Sequence, residues 1–203
     1  MPLPLTRIYR DLRYGQPVIV VSGLPRSGTS MTMQMLEAGG MEILSDGIRE
    51  ADESNPVGYY EFERVKELDG SSDASWLADA KGKAVKIISY LLQRLPETLN
   101  YKILLMHRDL DEIIASQNKM LALRGEPQES TNERMRELFE GHLWKAKRLL
   151  SRRSCFEALD VSYRSVIDNP REQAGRMNRF LGRGLDVEKM AAVVDERLYR
   201  NRR

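Results

Sequence analysis

The chain has 203 residues, of which 41% are hydrophobic and 31% charged, and its formal net charge is +2. This length suits one domain with a three-layer core, and the composition is that of an ordinary soluble protein. The small net charge gives no reason to expect a nucleic acid or a membrane surface as partner. A single cysteine excludes an internal disulfide and a cysteine-based metal cluster. No apolar run approaches the ~20 residues of a membrane span or the apolar stretch of a signal peptide, so we predict a cytoplasmic protein.

The most informative segment of the sequence lies near its N-terminal end. The apolar run VIVV at 18–21 predicts a strand that stops at the loop GLPRSGTS, 23–30, and a helix follows to residue 38, where two glycines end it. Strand, glycine loop and helix N-terminus together form a cradle for an anionic group, because the loop amides and the helix dipole both favour negative charge. The alternative is a glycine turn that only joins a strand to a helix.

The loop has the spacing of a Walker A motif, with four residues between Gly23 and Gly28. A P-loop NTPase needs a lysine after the second glycine, but this chain has Thr29 there, and the cation lies inside the loop at Arg26. The forked guanidinium of Arg26 suits bidentate contact with a phosphate or sulfate, and the hydroxyls of Thr29 and Ser30 add donors. The missing lysine disfavours hydrolysis of a nucleoside triphosphate.

Downstream of the loop, short apolar runs alternate with helical patterns. Further strands are predicted at 41–44, 84–88, 102–106 and 156–161. Helices are predicted at 61–68, 74–80, 110–122, 132–150, 170–181 and 187–194. The apolar positions of the 132–150 helix follow a helical period that includes His142. The alternation predicts an α/β protein, in which a parallel sheet carries helices on both faces and binds ligands beyond the carboxyl ends of its strands.

A second motif follows the strand predicted at 102–106. Arg108 comes directly after this strand, and Ser116 lies eight residues later, about two turns into the next helix. Both side chains can meet one phosphate if the helix runs alongside it. The alternative is an exposed arginine at a strand end and an ordinary serine on a helix.

These two motifs resemble those of the sulfotransferases. GLPRSGTS looks like the 5′-phosphosulfate-binding loop, in the form seen in tyrosylprotein and many bacterial sulfotransferases, whereas the cytosolic animal enzymes have Lys where this chain has Arg26. Arg108 and Ser116 have the spacing of the family's 3′-phosphate motif. More diffuse similarity covers NPVGYYE at 55–61 and VSY at 161–163.

The resemblance implies one sulfotransferase-like domain over 1–203, with a core at about 17–198 and a P-loop NTPase-like fold. It implies 3′-phosphoadenosine-5′-phosphosulfate (PAPS) as sulfuryl donor, no metal, and a small-molecule, carbohydrate or peptide acceptor with a hydroxyl or amine. Arg26 would also stabilise the departing 5′-phosphate. The donor-binding residues that it implies are Arg26, Ser27, Gly28, Thr29, Ser30, Arg108 and Ser116.

Several residues are candidates for the base that takes the acceptor's proton. The cytosolic sulfotransferases use a histidine at a position that corresponds here to Ser89. Our first candidate is Glu61, because related enzymes use a glutamate and the neighbouring aromatic rings would raise its pKa by desolvation; the alternative is a residue that only charges a helix start. Glu53 is the next candidate, and His107 is a third that the strand alternation is expected to turn into the core. Lys86 is expected either to reach the bridging oxygen or to snorkel from the sheet face.

Two other functions stay open on the sequence alone. A P-loop kinase or NTPase is disfavoured by Thr29 and by the lack of a clear acidic metal ligand at a strand end. A non-catalytic nucleotide-binding relative is favoured by the missing histidine. The basic C-terminal segment is expected to be a solvated tail, and Trp76 and Trp144 are expected to be packing residues. The acceptor and the oligomeric state do not follow from the sequence.

Overall fold

Four parallel strands form the centre of the protein. The computed structural model describes residues 4–48, 58–70, 74–128 and 130–195. The strands are β1, Val18–Gly23; β2, Ala84–Lys86; β3, Tyr101–His107; and β4, Phe156–Ser162. Within the described residues they form one sheet in the order β2-β1-β3-β4, and each pair of neighbours is parallel. The α/β class predicted from the sequence is therefore confirmed.

Helices cover the sheet, and local capping signals explain where several of them begin and end. The helices are α1, Pro4–Tyr14; α2, Thr29–Ala38; α3, Glu67–Gly70; α4, Leu110–Arg124; α5, Asn132–Arg152; α6, Tyr163–Asp168; α7, Pro170–Leu181; and α8, Val187–Ala192. Asp109 caps α4 by accepting from the backbone N–H groups of residues 111 and 112, and Gly125 ends this helix in a left-handed conformation. None of the helices in the described ranges has the length and apolar character that crossing a bilayer requires.

Two apolar clusters lie on opposite faces of the sheet. All six residues of β1 are buried, because the strand lies in the interior of the sheet and is covered on both sides. Ile19 and Val21 belong to the cluster that includes residues of α2, α7 and α8. Val18 and Val20 belong to the cluster on the other face, which includes Trp76 and the end of α5. This arrangement is the three-layer packing that the sequence predicted.

Some predicted elements are wrong. The strand expected at 41–44 is reduced to an isolated bridge between Ile43 and Ala84, because the backbone of the segment meets β2 at only one position. Trp76 is buried as expected, but Trp144 is 61% exposed, since it lies on the outer face of α5. The helices α1 and α6 and the 3₁₀ helix Ser89–Arg94 were not predicted from the sequence.

Candidate functional site

The loop between β1 and α2 is held in shape by contacts that exclude side chains at its two glycines. A Cβ at Gly23 would lie 2.4 Å from Oγ of Ser27, and a Cβ at Gly28 would lie 2.4 Å from a ring carbon of Tyr163. Gly28 also has φ = 99°, in the left-handed region that favours glycine. The buried hydroxyl of Ser27 donates to the carbonyl oxygen of Leu24 at 2.7 Å. The loop is therefore a close-packed concave turn at the N-terminus of α2, which is a favourable position for an anion.

Arg26 is the point at which the two predicted motifs meet. Its backbone has φ = 68°, an uncommon conformation for a residue other than glycine. Its Nε donates to Oγ of Ser116 at 3.0 Å, and its carbonyl oxygen accepts from Nη1 of Arg108 at 3.2 Å. The glycine loop and the start of α4 are thus joined into one surface at the carboxyl edge of β1 and β3.

The side chain of Arg108 is fixed from three sides. Its Nε donates to Oε2 of Glu112 at 3.0 Å, and both side chains of this pair are only 8% exposed. Its guanidinium lies 4.5 Å from the ring centroid of Tyr163, in cation–π geometry. The backbone of Arg26 supplies the third contact. A buried, oriented guanidinium of this kind suits recognition of a phosphate group.

A second set of polar groups lies at the end of β2. Nζ of Lys86 donates to the backbone carbonyl of Tyr59 and lies 3.6 Å from Oε1 of Glu61. Oγ of Ser30, at the start of α2, lies 3.5 Å from the same carbonyl oxygen. The structure thus brings Lys86, Glu61 and the glycine loop together around the backbone of Tyr59. Nζ of Lys86 is therefore held by polar groups of the segment that contains Tyr59 and Glu61.

Tyr60 holds the backbone that carries these groups. It has φ = 50°, in the left-handed region that a residue other than glycine rarely adopts. Its hydroxyl donates to Oε2 of Glu37 at 2.7 Å, which ties the segment to α2. Burial, followed by the hydrogen bond to Glu37, raises the pKa of Tyr60.

The remaining candidates have other surroundings. His107 does not face the core, because it is the last residue of β3, and its Nε2 lies 2.5 Å from Oδ1 of Asp160 on the neighbouring strand. Glu53, residues 55–57 and the C-terminal segment from residue 196 lie outside the described residues. Among the described residues, no group of three or more His, Cys, Asp or Glu side chains is arranged to hold a metal ion.

One polar cluster was missed from the sequence. His142, which the sequence analysis counted among the apolar positions of α5, has its Nε2 2.8 Å from Oγ of Ser89. Its ring is stacked on Tyr90, with 3.7 Å between the centroids. Burial lowers the pKa of His142, and the charge of Lys145 adds to this effect. The signal in the sequence was a polar side chain at a position where the helical period predicted an apolar one.

The sequence matches the sulfotransferase domain family over residues 16–203. The chain belongs to this family. A search of curated proteins gave no significant match.

Solved sulfotransferase structures have the same fold. Sulfotransferase STF1 from Mycobacterium tuberculosis H37Rv superposes with a TM-score of 0.55 at 18% identity, over 91% of this chain and 73% of the other. The sulfotransferase domain from the curacin biosynthetic pathway gives 0.53 at 16% identity, over 91% and 89%. The protein is therefore a sulfotransferase-family member with a P-loop NTPase-like fold, and its family supports a transferase.

Proposed function

We propose that this sulfotransferase-family protein transfers a sulfuryl group from PAPS to a hydroxyl or amine of an acceptor. The observation that carries the proposal is the meeting of two anion-binding motifs at Arg26, through its contacts with Ser116 and Arg108. A ligand with phosphate groups at both the 5′ and the 3′ positions of one ribose fits two joined motifs better than a nucleoside triphosphate. Gly23 and Gly28 carry no side chains, and this also favours close approach of an anion to the backbone of the loop.

The residues of the site divide into two groups under this proposal. The backbone amides and hydroxyls of the loop would bind the 5′-phosphosulfate together with Arg26, and the loop positions concerned are Arg26, Ser27, Gly28, Thr29 and Ser30. Arg108 and Ser116 would bind the 3′-phosphate. PAPS supplies the activated sulfuryl group, and no metal is expected.

Positive charge beside the reacting centre is the main catalytic aid that these residues offer. Arg26 and Lys86 stabilise the negative charge that grows on the leaving phosphate. Glu61, 3.6 Å from Nζ of Lys86, lies at the same centre, either as the base or as the partner that orients Lys86. Positioning of the acceptor and charge stabilisation together supply most of the catalysis in this kind of group transfer.

Thermal-shift titration tests the proposal. Adenosine 3′,5′-bisphosphate is expected to stabilise the protein, by about 2.7 kcal/mol at a hundred times its Kd. ATP with Mg²⁺ is expected to give no comparable shift, because Thr29 stands where the triphosphate-binding lysine is needed. Stabilisation by ATP with Mg²⁺ alone would support a kinase or NTPase and overturn the proposal.

Arg108→Gln tests the proposed contact between Arg108 and the 3′-phosphate. It removes a charge-assisted contact worth roughly 1.5–3 kcal/mol, so we expect the affinity for the bisphosphate to fall at least tenfold. Arg164→Gln is the control, because Arg164 makes a similar i,i+4 ion pair, with Nε 3.1 Å from Asp168, but both side chains are exposed. Equal affinities of the two variants would argue against a phosphate contact by Arg108.

A further inference from the structure

The cluster of His142, Ser89 and Tyr90 joins α5 to the 3₁₀ helix that follows β2. Ser89 begins the 3₁₀ helix that follows β2, three residues after Lys86 at the end of that strand. A chain of three residues spans at most about 11 Å, so Ser89 lies within that distance of Lys86, which is at the carboxyl end of β2. His142 reaches this position from the middle of α5, and its Nε2 lies 2.8 Å from Oγ of Ser89.

The imidazole ring is held in one orientation. Ser89 is 3% exposed, so the nitrogen that contacts it faces the interior. Tyr90 covers one face of the ring at an interplanar angle of 20°. When Nε2 donates its hydrogen to Ser89, Nδ1 carries the lone pair, and in the described part of the chain Nδ1 has no hydrogen-bond partner. The half-buried ring therefore presents an unused basic nitrogen.

The surroundings of His142 keep the ring neutral. Tyr90 on the 3₁₀ helix stacks on the ring, and Lys145 on its own helix acts on it by charge; neither is a carboxylate that could form an ion pair with an imidazolium. Burial and Lys145 lower the pKa of His142 below its ordinary value near 6.5. A neutral imidazole can accept a proton at neutral pH. Glu61, in contrast, is already engaged by Lys86.

We propose that His142 is the catalytic general base of the sulfuryl transfer, and this inference rests on the proposed function. Nδ1 of His142 accepts the proton as the acceptor O–H bond breaks, and the acceptor oxygen forms a bond to sulfur. The bond between sulfur and the bridging oxygen of the 5′-phosphate breaks, and its electron pair leaves with the phosphate. Ser89 and Tyr90 are positioning residues for the ring, and Glu61 orients Lys86.

The side chains near His142 indicate which acceptor substrate is suitable for an activity assay. Ile88 precedes Ser89 and is 40% exposed, Tyr90 is 38% exposed, and Leu138 lies one turn before His142 on α5 and is 51% exposed. Exposed apolar groups around a base favour a hydroxyl carried by an apolar molecule. The probe is therefore 2-naphthol, and glucose is the polar comparison.

The kinetic test compares wild type with His142→Gln, His142→Asn and Glu61→Gln. Binding of adenosine 3′,5′-bisphosphate is expected to be unchanged in both His142 variants, while transfer of labelled sulfate from PAPS to 2-naphthol falls by about 10²- to 10⁴-fold in kcat. Lys147→Gln is the control, because it changes an exposed residue on the same helix. His142 variants with wild-type kcat would overturn the inference, and so would a Glu61→Gln variant that alone loses the reaction.

The pH profile separates a base from a structural residue. In the wild type, kcat is expected to fall as the pH drops through the pKa of His142, because the ring then becomes protonated. Ser89→Ala should move the midpoint of that fall while leaving bisphosphate binding intact. If the midpoint of the pH profile is the same in Ser89→Ala as in the wild type, Ser89 does not position the ring of His142.

A measurement without turnover covers the case in which 2-naphthol is not sulfated. The chain has two histidines, so the ring signals of His142 are identified by NMR from the pair that His142→Gln loses. Saturation with the bisphosphate and 2-naphthol together is expected to shift these signals. If the bisphosphate binds and the His142 signals do not move, the inference is wrong while the proposed function stands. If the bisphosphate does not bind, the proposed function itself fails.

Discussion

At the residue scale, the two glycines of the loop differ from most glycines of the chain. Gly28 combines a left-handed φ with a ring carbon of Tyr163 at 2.4 Å from the position of a Cβ. Gly125, at the end of α4, also has a left-handed φ, but nothing lies within 4 Å of its Cβ position. Comparison of Gly28 with Gly125 therefore separates the free-energy cost of backbone strain from the cost of a steric clash inside the site.

We expect Gly28→Ala to be more destabilising than Gly125→Ala. Both lose roughly 1–2 kcal/mol to the left-handed backbone, and Gly28→Ala loses a further 1–3 kcal/mol because Tyr163 must move. Urea unfolding measures the difference. Gly28→Ala should also bind adenosine 3′,5′-bisphosphate more weakly, whereas Gly125→Ala should bind it normally. Equal stability and affinity in the two variants would show that the contact with Tyr163 does not constrain the loop.

At the element scale, a buried lysine joins the sheet to the end of a helix. Lys102 lies on β3 and is 2% exposed, and its Nζ donates to the carbonyl oxygens of Phe180 at 2.6 Å and Leu181 at 3.0 Å. These carbonyls belong to the last turn of α7, where backbone acceptors have no helical partner and a cation is favoured. Lys102 therefore fixes α7 against the opposite side of the sheet from α5.

Replacement of Lys102 by Met tests this role. The side chain keeps its length and loses its donors, so two buried carbonyls become unsatisfied, and we expect the free energy of unfolding to fall by about 1–3 kcal/mol. Lys147→Met on the exposed face of α5 is the control and should change stability little. A Lys102→Met protein as stable as wild type would mean that packing alone positions α7.

The elements that the sequence predicted well are those with local signals. The strand, loop and helix at 18–38 were predicted almost to the residue, because β-branched residues, glycines and a helix C-cap all lie within that segment. The helix α1 was missed because it is held by Arg10, whose guanidinium lies 2.8 Å from Glu157, while Ile8 and Leu12 point outward. Such an attachment depends on a residue 147 positions away in the chain.

The site was predictable only where its residues come from one short segment. The glycine loop, Arg108 and Ser116 follow from spacing, although their roles stay predictions. His142 could not be placed, because helical periodicity says which face of α5 is buried but not which residue of another element it meets. The contact with Ser89 spans 53 positions of the sequence and exists only once α5 has packed on the sheet.

At the scale of the whole molecule, His142 also couples stability to pH. Its pKa is lowered in the folded protein, so between that value and the ordinary value near 6.5 the unfolded chain binds more protons than the folded one. The free energy of unfolding therefore falls as the pH drops through this window, and the contribution is fully present above it.

Comparison of wild type with His142→Gln isolates this contribution. In wild type we expect urea unfolding to show less stability at pH 5.5 than at pH 7.5, and in His142→Gln the decrease should be smaller, because glutamine does not titrate. Lys147→Gln should retain the wild-type dependence. An identical decrease in wild type and His142→Gln would mean that other groups account for the acid sensitivity.

The hydrogen bond from Arg108 to the carbonyl of Arg26 bears on whether the site survives partial unfolding of the protein. Its two partners follow β3 and β1, which are hydrogen-bonded to each other from Val18–Tyr101 to Gly23–Met106 in the middle of the sheet. Separating the two halves of the site therefore requires these strands to part. Since such strands open only with the whole domain, fraying of the outer helices leaves the proposed donor-binding surface assembled.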